Sequence, residues 1–435
     1  MTCQIDLTGL HNQDMLHLLS SSLIITFAVI NGVSALTLPA PEAIEVPLRL
    51  VSRPQQDDPE LLHRRQADST LIYEQTNLEP VIQVGVGTPA KDFYLVFDTG
   101  SADLWVPGPF CTSRQGCPSG RRYDPGRSST HASVPLSRSL FTAVYGSQTT
   151  TGEYMEDTIT IADNVTLPSQ EIAAVLKTKG LLSSGNHGGG VVIDGIMGAG
   201  YPTLTMSSTR YNYQYLPVPQ HLYESKVVPE PFFSVYIDGD DSRGGSVVFG
   251  GLQQNAVSDS LRKTPVVKST YFNGDATHYY QWRAHISEFS RTTTGDNSSS
   301  TALLTMDEGS SFHFDTGTAT SRLPNGQGDK LARALFGDSH VRHLYNVYLI
   351  SDCTQFRNRD DWVMNLSFPD TEGNSFTIDF KPSDLLIDYS PLFDLCMFGF
   401  MDGDDYFIGN NLMKDYATIF NFGDNTIGFA DINDE

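Results

Sequence analysis

Phe97-Asp98-Thr99-Gly100-Ser101-Ala102-Asp103-Leu104-Trp105-Val106-Pro107 returns later in the chain as Phe314-Asp315-Thr316-Gly317-Thr318-Ala319-Thr320-Ser321-Arg322-Leu323-Pro324. Phe, Asp, Thr, Gly, a hydroxyl residue, Ala and the closing Pro recur in step. Each copy follows an apolar run, so each places one carboxylate on the turn after a strand. A single Asp-Thr-Gly is an ordinary turn. Two copies in matched frames point to a duplicated unit, and two such units facing each other across a two-fold axis would set Asp98 beside Asp315. Carboxylates at hydrogen-bonding distance cannot both ionise easily. One pKa falls, the other rises, and a shared proton equips the pair to activate a water molecule.

The neighbouring residues fit that task. Gly100 and Gly317 let backbone approach the carboxylates and offer N–H donors. Thr99 and Thr316 can hydrogen-bond across the axis. Ser101 and Thr318 can donate to the outer carboxylate oxygens. The repeat also extends downstream. Ile196-Met197-Gly198 follows the first aspartate, and Phe407-Ile408-Gly409 follows the second at nearly the same distance. Strand signals dominate elsewhere: Val81 to Gly87 turning at Thr88-Pro89 into Phe93 to Phe97, then Thr158 to Ile161, Phe233 to Ile237 and Ser246 to Phe249. Short helices are expected at Gln220 to Val228 and Gly328 to Phe336, and residues 290–301 read as a polar surface loop. The expected fold is all-β and bilobal, an N-terminal lobe over 66–260 and a C-terminal lobe over 261–435, with the active cleft between them.

The 435 residues carry a net charge of −23, with a sequence pI near 4.7. That balance argues against nucleic acid and anionic membranes as partners. The apolar run Leu18 to Ile30 is too short to span a bilayer comfortably, and small residues follow it up to Ala35. Residues 1–35 therefore read as a signal peptide. The polar, acidic stretch 1–14 looks like a spurious extension, with Met15 as the alternative start. Residues 36–65 are Pro-rich, end in Arg64-Arg65, and read as a propeptide. Within it Leu48 to Arg53 is a candidate strand from which a cation could neutralise the facing aspartates. Of five cysteines, Cys3 falls in the leader. Cys111, Cys117, Cys353 and Cys396 allow three connectivities; local pairing keeps one bridge in each half. Asn164, Asn297 and Asn365 head glycosylation sequons. No apolar tail suited to a lipid anchor follows Ala430.

Over residues 76–435 the chain resembles the pepsin-type (A1) aspartic endopeptidases, in their secreted fungal form. Phe97 to Pro107 is similar to the first signature of that family and Phe314 to Thr318 to the second. Val84 to Pro89 and Asp194-Gly195-Ile196-Met197-Gly198 are similar to two further elements. The resemblance implies peptide-bond hydrolysis at acidic pH. It implies a hairpin flap with Tyr145-Gly146-Ser147 near its tip, Tyr145 hydrogen-bonding the indole of Trp105, and bridges Cys111–Cys117 and Cys353–Cys396. Three places depart from the pattern: Asn410 replaces an Asp near the second carboxylate, Thr320-Ser321-Arg322 is unusually polar, and Glu79-Pro80 replaces an aromatic. A catalytically silent binding or inhibitor protein is the main alternative; a two-carboxylate glycosidase would not need the duplicated frame. No zinc-type or serine-nucleophile motif occurs, and no metal or cofactor is expected. Expected partners are peptides and proteins, on a soluble monomer without membrane anchor. The expected location is extracellular, with a vacuole or lysosome-like compartment second.

Overall fold

β-branched and aromatic residues in short runs, cut by Gly and Pro, fold here as strands almost throughout. The computed structural model describes residues 41–52, 78–145, 148–162, 165–179, 192–238, 244–256, 260–268, 278–295, 298–414 and 416–433. The leader, Arg64-Arg65, Gly146, Ser147, Asn164 and Asn297 lie outside the described residues. Among the described residues there are one fourteen-stranded, one five-stranded and two four-stranded sheets. No described helix is long and apolar enough to cross a membrane.

The duplication read from the sequence is a duplication of strand pairing. The Lys91–Asp98 strand runs parallel to Gly195–Gly198, with Asp98 opposite Gly198. Leu104–Pro107 returns antiparallel to the same short strand. In the second half, Phe312–Asp315 runs parallel to Phe407–Gly409, with Asp315 opposite Gly409, and Ser321–Leu323 returns against it. The downstream glycines are required by closeness: a Cβ on Gly198 would lie 2.5 Å from the Ala102 backbone, and one on Gly409 2.6 Å from the Thr318 carbonyl.

The large sheet joins the two halves. Phe232–Ile237 pairs with Gly245–Phe249 on one side and with Tyr416–Asn421 on the other. Beneath it Phe233 stacks on Phe420 at 5.0 Å, and Phe97, next to the first aspartate, meets Phe233 edge-on at 5.6 Å. Trp282 adds its ring at 5.3 Å from Phe420 and donates its indole N–H to the Ala199 carbonyl at 2.9 Å. An aromatic core drawn from both halves thus supports the turn that carries Asp98.

Ile44–Ser52 is a strand, and it lies inside this sheet, between Gly245–Phe249 and Leu78–Val86. Val46, Leu48 and Val51 are buried. The guanidinium of Arg49 lies over the Tyr94 ring, 5.8 Å from its centroid, and Arg53, the other cation of the expected strand, lies outside the described residues.

The hairpin Leu78–Val86 to Lys91–Asp98 forms as expected, through a cis Thr88–Pro89 bond. The first expected helix is shorter, Val218–Glu224, and ends before Lys226, whose φ is 58°. The second spans Gln327–Phe336. Of residues 290–301, expected as a loop, 290–293 and 300–301 are strand instead. Glu288–Thr293 and Ser300–Thr305 pair as a hairpin, because Thr and Ser sit well on a half-exposed sheet face. Helices at Met206–Tyr211 and Cys353–Arg357 had no clear periodic signal; the first is capped by Thr205, which accepts from the Ser208 amide. Both bridges, Cys111–Cys117 and Cys353–Cys396, are formed.

Candidate active site

Each aspartate sits where an apolar strand must turn to let its partner strand cross. In the first turn the Gly100 amide donates to Asp98 Oδ1 at 2.8 Å and Ser101 Oγ to Oδ2 at 2.5 Å. In the second, the Gly317 amide donates to Asp315 Oδ1 at 2.9 Å and Thr318 Oγ1 to Oδ2 at 2.6 Å. The threonines between lock the turns together. Thr99 Oγ1 donates to the Phe314 carbonyl and accepts from the Thr316 amide; Thr316 Oγ1 donates to the Phe97 carbonyl and accepts from the Thr99 amide. These four bonds run from 2.6 to 3.0 Å between groups in opposite halves.

The carboxyl groups face each other. A Cβ on Gly100 would lie 2.5 Å from the Asp315 carboxyl, and one on Gly317 2.5 Å from Asp98 Oδ1. Asp98 is 6% exposed and Asp315 9%. Burial first, then the charge of Asp98, holds the Asp315 carboxyl well above the ordinary carboxylate range, against the hydrogen bonds from Thr318 and Gly317. A carboxyl raised in this way by burial and a facing carboxylate is held toward its protonated form.

Leu140–Tyr145 and Gln148–Ile161 form a hairpin, with Tyr145 opposite Gln148. Trp105 Nε1 donates to the Tyr145 hydroxyl at 3.0 Å. Burial and the charges of Asp103 and Asp98 push the Tyr145 phenol up, so it is neutral and can donate.

The three departures are accommodated locally. Asn410 is buried and its Nδ2 donates to the Thr316 carbonyl at 3.3 Å, so a neutral amide ties the second turn. Ser321 is buried, with its amide and hydroxyl both donating to Asn411 Oδ1. Arg322 lies over the Phe407 ring. Glu79 is buried on the sheet opposite Val51. The glycan site expected at Asn365 is corrected by its surroundings. The side chain is buried, Nδ2 donates to Asp379 at 2.7 Å and Oδ1 accepts from Thr292 at 2.6 Å, so the folded chain offers no free amide there.

Two features escaped the sequence reading. Asp103 is a buried carboxyl whose partners Tyr154 and Tyr215 come from distant segments. His313 is 2% exposed on the strand leading to Asp315, directly opposite Arg283, whose guanidinium pairs with Asp405 at 2.8 Å. Burial first, then the Arg283 charge, pushes the His313 imidazole down to about 3. A polar residue inside an apolar run was the available signal in both cases.

Known proteins resemble this chain over most of its length. A sequence model of the eukaryotic aspartyl protease family matches residues 80–432. Mucorpepsin of Rhizomucor pusillus is 30% identical over 368 residues, covering 83% of this chain and 81% of its own. Mucorpepsin of Rhizomucor miehei is 29% identical over 366 residues, covering 83% and 80%. Human (Homo sapiens) gastricsin is 27% identical over 360 residues, covering 80% of each. The crystal structure of an aspartic proteinase from Irpex lacteus superposes with a TM-score of 0.62 at 19% identity, over 90% of this chain and 98% of that one, which speaks for the fold. The chain belongs to the eukaryotic aspartyl protease family.

Proposed function

We propose that Asp98 and Asp315 are the pair with which this aspartic endopeptidase hydrolyses peptide bonds. The observation that carries the reading is reciprocal closeness: each catalytic-turn glycine lies against the opposite carboxyl, with matched hydrogen bonds on both sides. The ionised member of the pair takes a proton from a water held between them. The protonated member donates to the scissile carbonyl oxygen. Water attacks, a tetrahedral gem-diol forms without a covalent enzyme adduct, and the roles reverse as the amine leaves. The two acids titrate as a unit, so neither is assigned as base or acid alone.

Hydrogen bonds within and between the two turns support the roles of the residues that flank the pair. Thr99 and Thr316 hold the turns in register, Ser101 and Thr318 orient the carboxyls, and Gly100 and Gly317 leave room for the reacting water. Tyr145, held by Trp105, is the cover of the cleft, and Gly146 and Ser147, next in the sequence, share with it the role of holding substrate. The scheme uses no metal or cofactor. Residues 1–35 act as a signal peptide and 36–65 as a propeptide of a zymogen, with the lobes dividing near 260. The enzyme acts outside the cell as a monomer on peptide and protein substrates, with glycans at Asn164 and Asn297.

The test is hydrolysis of a peptide library at acidic pH by the purified protein and by Asp98→Asn. The reading expects cleavage that a statine-type inhibitor blocks and that falls at least ~10³-fold in the variant. Full activity in Asp98→Asn would sink it, and an inactive wild type would favour a silent binding protein.

A further inference from the structure

A further buried carboxyl, with no part in the scheme above, lies just past the first catalytic turn. Asp103 is 2% exposed. Tyr154 and Tyr215 each donate to its Oδ1 at 2.6 Å, and the Met206 amide donates to its Oδ2 at 2.9 Å. All three neighbours are donors. The site therefore suits a group that only accepts, at both of its ends, which a carboxylate does and a carboxamide or carboxylic acid, each with a donor at one end, does not.

Its partners lead to the cleft. Tyr154 lies on Gln148–Ile161, the return strand of the Tyr145 hairpin. Its ring packs edge-on against Phe141 of the outgoing strand at 5.3 Å and against Tyr215 at 6.0 Å. Two residues beyond Asp103, Trp105 holds the Tyr145 hydroxyl. The short stretch Asp103 to Trp105 thus grips the hairpin both at its base and near its tip.

We propose that Asp103 is a positioning residue of the peptidase reaction: its carboxylate fixes the base of the Tyr145 hairpin, and its protonation in acid releases that hairpin and weakens the hold on substrate. The inference rests on Tyr145 being the cover of the cleft. The groups facing Asp103 are the phenol of Tyr154 from the hairpin, the phenol of Tyr215, and the Met206 amide of the short helix. At longer range lie the Tyr145 phenol and the carboxylate of Glu171, itself paired with Arg138 at 2.6 Å. Burial raises the Asp103 carboxyl above its ordinary range, and the three donors pull it back. Protonation would turn one acceptor oxygen into a fourth donor among donors.

Two readouts test this. The first is steady-state kinetics between about pH 2 and about pH 7 for wild type, Asp103→Asn and Tyr154→Phe, the last keeping the ring and deleting one donor. Wild-type KM should rise toward acid. Asp103→Asn should raise KM about tenfold and flatten that rise, with kcat within about threefold, and Tyr154→Phe should raise KM about threefold. A Tyr154→Phe profile superimposable on wild type, or a loss confined to kcat, overturns the proposal even where Asp103→Asn does not fold. The second is amide hydrogen exchange across Leu140–Ile161, which needs no turnover. Faster exchange in Tyr154→Phe supports the tie, and equal exchange overturns it. Retained activity in Asp98→Asn would sink the dyad reading while leaving the exchange result standing, so the two failures are separable.

Discussion

Single atoms decide the geometry of the paired acids. A methyl group at Gly100 would occupy space 2.5 Å from the Asp315 carboxyl. Gly100→Ala should therefore push the two acids apart. Peptidase activity is expected to fall about 10²-fold with little change in melting temperature, since a shift near an ångström in a reacting group carries a loss of that order. Unchanged kcat would mean that the carboxyls do not need this closeness. His313 makes a second residue-scale case. Its folded pKa, near 3, lies below the unfolded value of about 6.5, so the unfolded chain binds more protons between those limits. The stability of the neutral buried ring is present above about pH 6.5 and is lost progressively as pH falls toward 3. His313→Leu should flatten this slope and gain a few kcal/mol at about pH 4 relative to its difference from wild type at about pH 7. Parallel stability curves for the two proteins across that window would contradict the assignment.

The turn is the element in which sequence and chemistry meet most closely. Asn410 ties the second catalytic turn through the Thr316 carbonyl without adding charge. Asn410→Asp would place a negative neighbour beside that turn and raise the upper pKa of the pair. The alkaline limb of the pH–rate profile should move to higher pH by roughly half a unit to one unit. An unmoved limb would show that the dyad does not sense this position. Elements set by chain-local chemistry were legible: the two aspartate turns, the downstream apolar-apolar-Gly strands and the hairpin before Asp98 all follow from turn residues beside apolar runs. Elements set by partners far away were not. The Ser/Thr-rich residues 290–293 are strand in company with Trp362–Pro369, a pairing partner some seventy residues away that no local pattern announces. Asn365 satisfies a sequon pattern, yet the sheet claims its amide for Asp379. The Asp103 site joins Asp103, Tyr154 and Tyr215, which no local spacing brings together.

For the whole molecule, the large sheet and the aromatic cluster around Phe97, Phe233, Trp282 and Phe420 hold the two turns in a common frame. Ile44–Ser52 is an inner strand of that sheet although it precedes the dibasic site expected to mark the mature start. Val46, Leu48 and Val51 are buried, and each such side chain contributes about 1.5–3 kcal/mol. A chain lacking residues 41–52 should accordingly refold in much lower yield than the full chain, and adding the Ile44–Ser52 peptide should restore part of that yield. Equal yields would mean that another segment fills the gap in the sheet.

The proton held between Asp98 and Asp315 is the hinge of the account, and neutron diffraction from crystals grown in acid would locate it. One deuteron shared by the facing carboxyls is the predicted result. Two bare carboxylates, two fully deuterated acids, or carboxyl groups turned away from each other would contradict it.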